Sequence, residues 1–158
     1  MHSQNLVGFC YGEGLGVRRD FKSALYWFRA ATKGGHQEAP FNLALAYEKG
    51  EGTSVDLRSA IRYYKQAARL GNPAAQCNLG VAYLEGLGTR RNTAAGLRWL
   101  RRAAARGDAR AQYNLGNEYL SGEVAPKERR RGIMWLSRAA KLEHRRAAES
   151  LRRLAKVA

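Results

Sequence analysis

Three glycines in five residues, Gly12-Glu13-Gly14-Leu15-Gly16, are the first feature in the sequence with a recognisable chemistry. Such a run cradles a phosphate when it joins a strand to a helix, because its backbone amides can then converge on the anion. Here it follows a helical stripe and recurs as a turn, in Gly86-Leu87-Gly88 and around Gly50 and Gly122, so it reads as structural punctuation. His36 and His144 stand in the loop column shared by Asn72 and Asp108, which suits capping or solvent exposure better than catalysis. Glu13 and Glu85 share a column, with Glu48 adjacent, and read as a solvated rim. Cys10 and Cys77 are too few for a disulfide framework and lack metal-site spacing; Cys77 reads as a packing or groove residue. No Ser, His and Asp fall together in the way a nucleophile and its base require. The expectation is a non-enzymatic chain with no catalytic residue, no metal and no cofactor.

The elements that position these residues follow from self-similarity. Tyr11, Tyr47, Tyr83 and Tyr119 are spaced by one constant period of 36, as are Gly14, Gly50, Gly86 and Gly122. The columns Val7, Leu43, Leu79, Leu115 and Trp27, Tyr63, Trp99, Trp135 keep the same register, as does Ala31, Ala67, Ala103, Ala139. A fixed period of this length marks a repeat array, in which each unit buries its apolar face against its neighbours. The units are 1–36, 37–72, 73–108 and 109–144, followed by a half-unit over 145–158, within one repeat domain.

Each unit reads as two antiparallel helices. Ala75, Leu79 and Tyr83 form the i, i+4, i+8 stripe of the first, with Gly80 allowing a neighbouring helix to come close. The second opens at Asp20, Asp56 or Asn92, whose side chains can cap free amides, and buries Ala24, Trp27, Phe28 and Ala31. It ends at Gly35, Gly71 or Gly107, after which Asn72 or Asp108 can cap the next first helix. No strand pattern competes. The predicted fold class is all-α, a solenoid of about nine helices.

The runs Ala75-Gln76-Cys77-Asn78-Leu79-Gly80 and Ala111-Gln112-Tyr113-Asn114-Leu115-Gly116, the Gly-x-Gly turns, and Trp27 to Ala31 followed by Gly35 resemble the Sel1-like repeat, a relative of the tetratricopeptide repeat. The resemblance covers the whole chain. It implies a right-handed superhelix that acts as a non-catalytic adaptor in macromolecular assembly, often in bacterial signalling or host interaction. The cysteine pair that a cysteine-rich branch places in each unit is absent here, so neither export nor that branch's β-lactam binding is carried over. Unit four departs from the pattern: Val124 replaces a turn glycine, Ala125-Pro126 follow, Glu128 replaces the capping Asp, and Glu143 stands where Gly107 stood. Its turn is expected to differ in shape. Arg152 in the close-packing glycine column marks the half-unit as a terminal cap, whereas Ser3 in the alanine column has no cap ahead of it, as in a segment of a longer array.

Function must then come from surfaces. By the tetratricopeptide relation, a concave groove is lined by Asn5, Phe41, Cys77 and Tyr113, by Phe9, Leu45, Val81 and Asn117, and by Leu84 and Leu120. These columns are largely apolar and suit a partner helix or extended peptide. The second helices carry much of the charge. Lys+Arg total 28 against Asp+Glu 13, a net +15, and the excess is densest toward the C-terminus. Arg58, Lys65, Arg98, Arg101, Arg102, Arg129, Arg130 and Arg131 mark a basic convex face that favours an acidic protein partner. RNA or DNA binding through that face is the alternative, weakened because the face shows no interleaved aromatics for base stacking. Hydrophobic residues at 45% and charged residues at 26% exclude wholesale disorder. No stretch approaches the roughly 20 apolar residues of a membrane span. MHSQNLVGFC has no signal-peptide pattern, which favours a cytoplasmic location, with an exported form whose signal peptide has been removed as the other reading.

Overall fold

The computed structural model describes residues 2–121 and 129–156. Among these, nine helices and no strand are found. They are α1 His2–Glu13, α2 Phe21–Lys33, α3 Ala39–Lys49, α4 Leu57–Arg69, α5 Pro73–Glu85, α6 Thr93–Ala105, α7 Ala109–Ser121, α8 Arg129–Lys141 and α9 Arg145–Ala155. The chain forms two compact units, one of residues 1–75 with 86–90 and one of residues 76–85 with 91–158.

The helices begin where the sequence supplies caps. Asp20 accepts from the backbone N–H of Lys22 at 3.0 Å and from the Ser23 hydroxyl at 2.6 Å, Asp56 accepts from the Ser59 N–H at 3.0 Å, and Asn92 accepts from the Ala95 N–H at 2.9 Å. Asn72 and Asp108 cap α5 and α7, each accepting at 2.8 Å, and His144 Nδ1 caps α9 by accepting from the Ala147 N–H at 3.3 Å. The capping residue also closes its hairpin: the Asp20, Asp56 and Asn92 N–H groups donate to the Tyr11, Tyr47 and Tyr83 carbonyls at 3.0, 2.9 and 2.7 Å. In each of these three hairpins one backbone bond thus uses a carbonyl left over at the end of the first helix.

In the first unit the core holds Leu25, Phe28, Leu43, Tyr47, Ile61 and Tyr64. The second is built on Leu79, Leu97, Leu100, Leu115 and Tyr119, with Leu136, Ala139 and Ala147 carrying α9. Close helix approach rests on glycine: a Cβ on Gly80 would stand 2.8 Å from Leu100 Cγ, and one on Gly116 2.9 Å from Leu136 Cγ. Ala24, Phe28 and Ala31 are buried, as the stripe predicts. Trp27 is not. It is half-buried with its ring edge-on to Tyr26, 5.3 Å between centroids, and Leu25 is the buried neighbour instead. Its column lies at the edge of the buried face, where Tyr63, Trp99 and Trp135 are half-buried too, while Leu25, Ile61 and Leu97 take the buried positions.

At the end of α8, Glu143 adopts φ +61, the left-handed conformation that Gly35, Gly71 and Gly107 take at φ +80, +92 and +86. The bonds that follow match: His36, Asn72, Asp108 and His144 N–H groups donate to Ala31, Ala67, Ala103 and Ala139 carbonyls at 3.0 to 3.1 Å. This junction keeps its shape without glycine, because the repeat's packing imposes it on a side chain that disfavours it. The Val124, Ala125-Pro126 and Glu128 departures lie outside the described residues.

Candidate functional site

The proposed groove columns divide between the units. In the first, Phe9 on α1 is 45% exposed, whereas Phe41 and Leu45 on α3 are half-buried. Phe41 leans on the Tyr64 ring, with 6.0 Å between centroids, and the Tyr64 hydroxyl donates to Glu48 Oε2 at 2.8 Å. Asn5 sinks below the surface and accepts at Oδ1 from Asn42 Nδ2 at 3.0 Å. It is therefore a linker between first helices, not an exposed contact. Between α1 and α3 lies a cleft of about 260 Å³, lined on its apolar side by Phe9, Phe21, Phe28 and Leu45. Its polar side brings in Glu13, Arg19 and Asn42, with Lys49 and Glu51 forming an ion pair at 3.7 Å.

In the second unit, Cys77 corrects the sequence expectation most clearly. It is 2% exposed within the core built by Leu97, Leu100 and Leu115. Burial pushes its thiol up to about 12, and the Asp108 charge acts in the same direction. A thiol held neutral in this way is no nucleophile and offers a partner no surface. The helix stripe alone cannot distinguish this position from its half-buried equivalents Phe41 and Tyr113. Tyr113 is half-buried and stacks on the His144 ring, with centroids 4.6 Å apart and planes at 22°. Leu120 packs against the Leu136 and Ala139 cluster. Val81, Leu84 and Asn117 line a cleft of about 280 Å³ with Glu85, Arg91 and Asn114. Sequence reasoning missed Arg19, Phe21 and Arg91, which sit in or just after the turns and outside the helical columns.

On the second helices, Arg58, Arg98, Arg101, Arg102, Arg129, Arg130 and Arg131 are exposed and Lys65 is half-buried. Aromatic rings do lie among the arginines, contrary to expectation. Arg102 covers Trp99 and Arg138 covers Trp135, both at 4.9 Å, and Arg62 covers Tyr63 at 4.6 Å. The rings come from the Trp27 column, which the sequence assigned to the core; being half-buried, they emerge beside the charges. Arg101 Nε donates to the Tyr119 hydroxyl at 3.1 Å, and Arg29 Nη2 to that of Tyr47 at 2.6 Å. Among the described residues no three His, Cys, Asp or Glu side chains come close enough to hold a metal ion, and no helix is long and apolar enough to cross a membrane.

The family model of the Sel1 repeat matches residues 2–36, 37–72, 73–108 and 109–144. The chain belongs to the Sel1 repeat family. Its repeats of about 36 residues form a helical solenoid. A Sel1 repeat protein from Oxalobacter formigenes superposes with a TM-score of 0.90 at 35% identity, over 95% of this chain. The uropathogenic Escherichia coli protein c5321, described as a protective antigen with an SLR fold, gives 0.85 at 35% identity over 89%. This Sel1 repeat chain spans 60% and 30% of the lengths of those two proteins. Helicobacter pylori cysteine rich protein B, at 23% identity and a TM-score of 0.54, covers 57% of this chain and is itself covered over 68%, and shares the fold alone. No curated protein matches the sequence. Sel1 repeat proteins are in general protein-interaction scaffolds without chemistry of their own.

Proposed function

We propose that this Sel1 repeat chain is a non-catalytic adaptor that takes a segment of a protein partner against its first helices. The observation that carries this reading is the cleft beside Phe9. Three of the chain's four phenylalanines line about 260 Å³ of open space, and Phe9 remains 45% exposed in it. An aromatic ring left at a cleft rim next to half-buried Leu45 is the anchor type that dominates protein–protein recognition. The arginines of the second helices supply a separate contact, suited to an acidic protein surface and weakened by salt.

Affinity capture on the immobilised chain, with bound proteins quantified at low and high salt, tests both parts. Phe9→Ser is expected to remove a salt-resistant partner from the captured set while the circular dichroism spectrum is unchanged. Undiminished capture by that folded variant overturns the cleft reading. Nucleic-acid binding is favoured by one observation, the tryptophans seated among arginines at Trp99 and Trp135. Gel shifts with single- and double-stranded RNA and DNA at two salt concentrations decide it, since phosphate contacts weaken steeply as salt rises. Absence of a shift at low salt removes this alternative.

A further inference from the structure

The two clefts are the same place in the repeat, two repeats apart. Phe9, Gly12, Glu13, Arg19, Asn42 and Leu45 line the first, and adding 72 to each number gives Val81, Leu84, Glu85, Arg91, Asn114 and Asn117, which line the second. The polar half of the set is identical at both: Glu13 and Glu85, Arg19 and Arg91, Asn42 and Asn114. The apolar half varies. In the intervening repeat the acid and base columns hold Lys49 and Val55, so this acid–base pair returns every second repeat.

Folding alone does not ask for that spacing. Residues the fold needs, such as the caps Asp20, Asp56 and Asn92, return in three consecutive units. Glu13, Arg19, Glu85 and Arg91 are exposed, and Arg19 also lies over the Phe21 ring at 5.9 Å. What a carboxylate, a guanidinium and a carboxamide around one cleft match is an uncharged group with donors and acceptors side by side. The carboxylate accepts from an N–H, the guanidinium donates to a C=O, and the carboxamide does either. The main chain of an extended peptide presents such groups. Asn42 commits one Nδ2 proton to Asn5 and retains hydrogen-bonding capacity beyond it.

We propose that each compact unit carries one peptide subsite, in which the Glu, Arg and Asn hold a peptide main chain and the variable wall chooses its side chain. The wall of Phe9, Phe28 and Leu45 selects a bulky apolar residue. The wall of Val81, Leu84, Asn117 and Glu118, in which Asn117 and Glu118 add polar atoms, selects a polar one. This deepens the adaptor reading and rests on it.

The test uses N-acetylphenylalanine N-methylamide and N-acetylglutamine N-methylamide as probes, titrated into the isotope-labelled full chain to millimolar concentration, where ligands of this size bind. Side-chain amide signals of Asn42 and Asn114 are read by NMR. The phenylalanine probe is expected to move Asn42, and the glutamine probe Asn114. Phe9→Val with Leu45→Asn gives the first cleft the second cleft's residues at those two wall positions, and should pass the Asn42 response from the phenylalanine probe to the glutamine probe while leaving Asn114 unchanged. Glu13→Gln or Arg19→Gln should each weaken the phenylalanine probe about tenfold, as loss of a charge-assisted hydrogen bond does. Silence of both amides, or an Asn42 response to the phenylalanine probe that is unchanged by the Phe9→Val and Leu45→Asn pair, overturns the proposal. If partner capture still depends on Phe9 in that event, the adaptor reading stands and only the subsites fall.

Discussion

Replacing Glu143 by glycine isolates one backbone term. Glu143 holds φ +61 at the place where Gly35, Gly71 and Gly107 hold +80 to +92. A side chain in the left-handed region costs roughly 1–2 kcal/mol. Glycine loses more freedom on folding, which takes back about 0.5–1 kcal/mol. The net gain expected for Glu143→Gly is therefore roughly 0.5–1 kcal/mol. Gly107 supplies the mirror experiment: an added Cβ there meets nothing within 4 Å, so Gly107→Glu carries the same backbone cost with no clash. It should destabilise by about as much as Glu143→Gly stabilises. Hydrogen exchange of the α9 amides is the assay, because α9 leans on the α8 end through Ala147, Leu151 and Leu154. About 0.5–1 kcal/mol corresponds to protection rising by roughly two- to fivefold in α9. Glu143→Ala keeps the Cβ and removes the charge, and should change little. Equal stabilisation by alanine and glycine would show that charge, not φ, sets the cost, and would refute the reasoning.

Gly80→Ala should lower stability by about 1–3 kcal/mol, as overpacking against Leu100 demands, whereas Gly12→Ala has room and should gain roughly 0.5–1 kcal/mol of helix propensity; thermal melts of the two separate these signs. The carboxyls of Asp20 and Asp56 are held below their usual range, first by the hydroxyls of Ser23 and Ser59 and then by the backbone N–H groups they cap. A depressed folded value contributes stability above the unfolded value near 3.8 that is lost as pH falls through the folded one, so α2 and α4 should loosen in acid while α6, capped by the uncharged Asn92, keeps its start. Residue-resolved hydrogen exchange across that range checks it, and equal loss at all three helices would count against the capping account. A thiol reagent at mildly alkaline pH should label half-buried Cys10 and spare Cys77 until denaturant is added; native-state labelling of both, read by mass spectrometry, would contradict the burial of Cys77.

The helical hairpins were legible because their determinants are local. Asp20, Asp56 and Asn92 cap what they stand in front of, and Gly80 of α5 and Gly116 of α7 announce close packing in one column. What escaped depends on the third dimension. Cys77 shares a column with half-buried Phe41, and only packing against Leu97 and Leu100 separates their surroundings. Trp27 belongs to the apolar stripe by spacing, yet its column lies at the edge of the buried face, and Trp99 and Trp135 in that column consequently lie beneath arginines. The clefts were half visible: Phe9, Leu45, Val81 and Leu84 follow from helical register, but Arg19, Phe21 and Arg91 lie in the turns and at a helix start, where register stops.

The bond from each capping N–H back to a tyrosine carbonyl spans only nine residues, Asp20 to Tyr11, Asp56 to Tyr47 and Asn92 to Tyr83. Chain segments of that length close in about 10–100 ns, far ahead of any contact between distant repeats. Folding can therefore start at any hairpin and spread outward, and a lesion in a terminal hairpin is absorbed there while its neighbours keep their structure. For an adaptor, that is a way to lose an end without losing the rest of the binding surface.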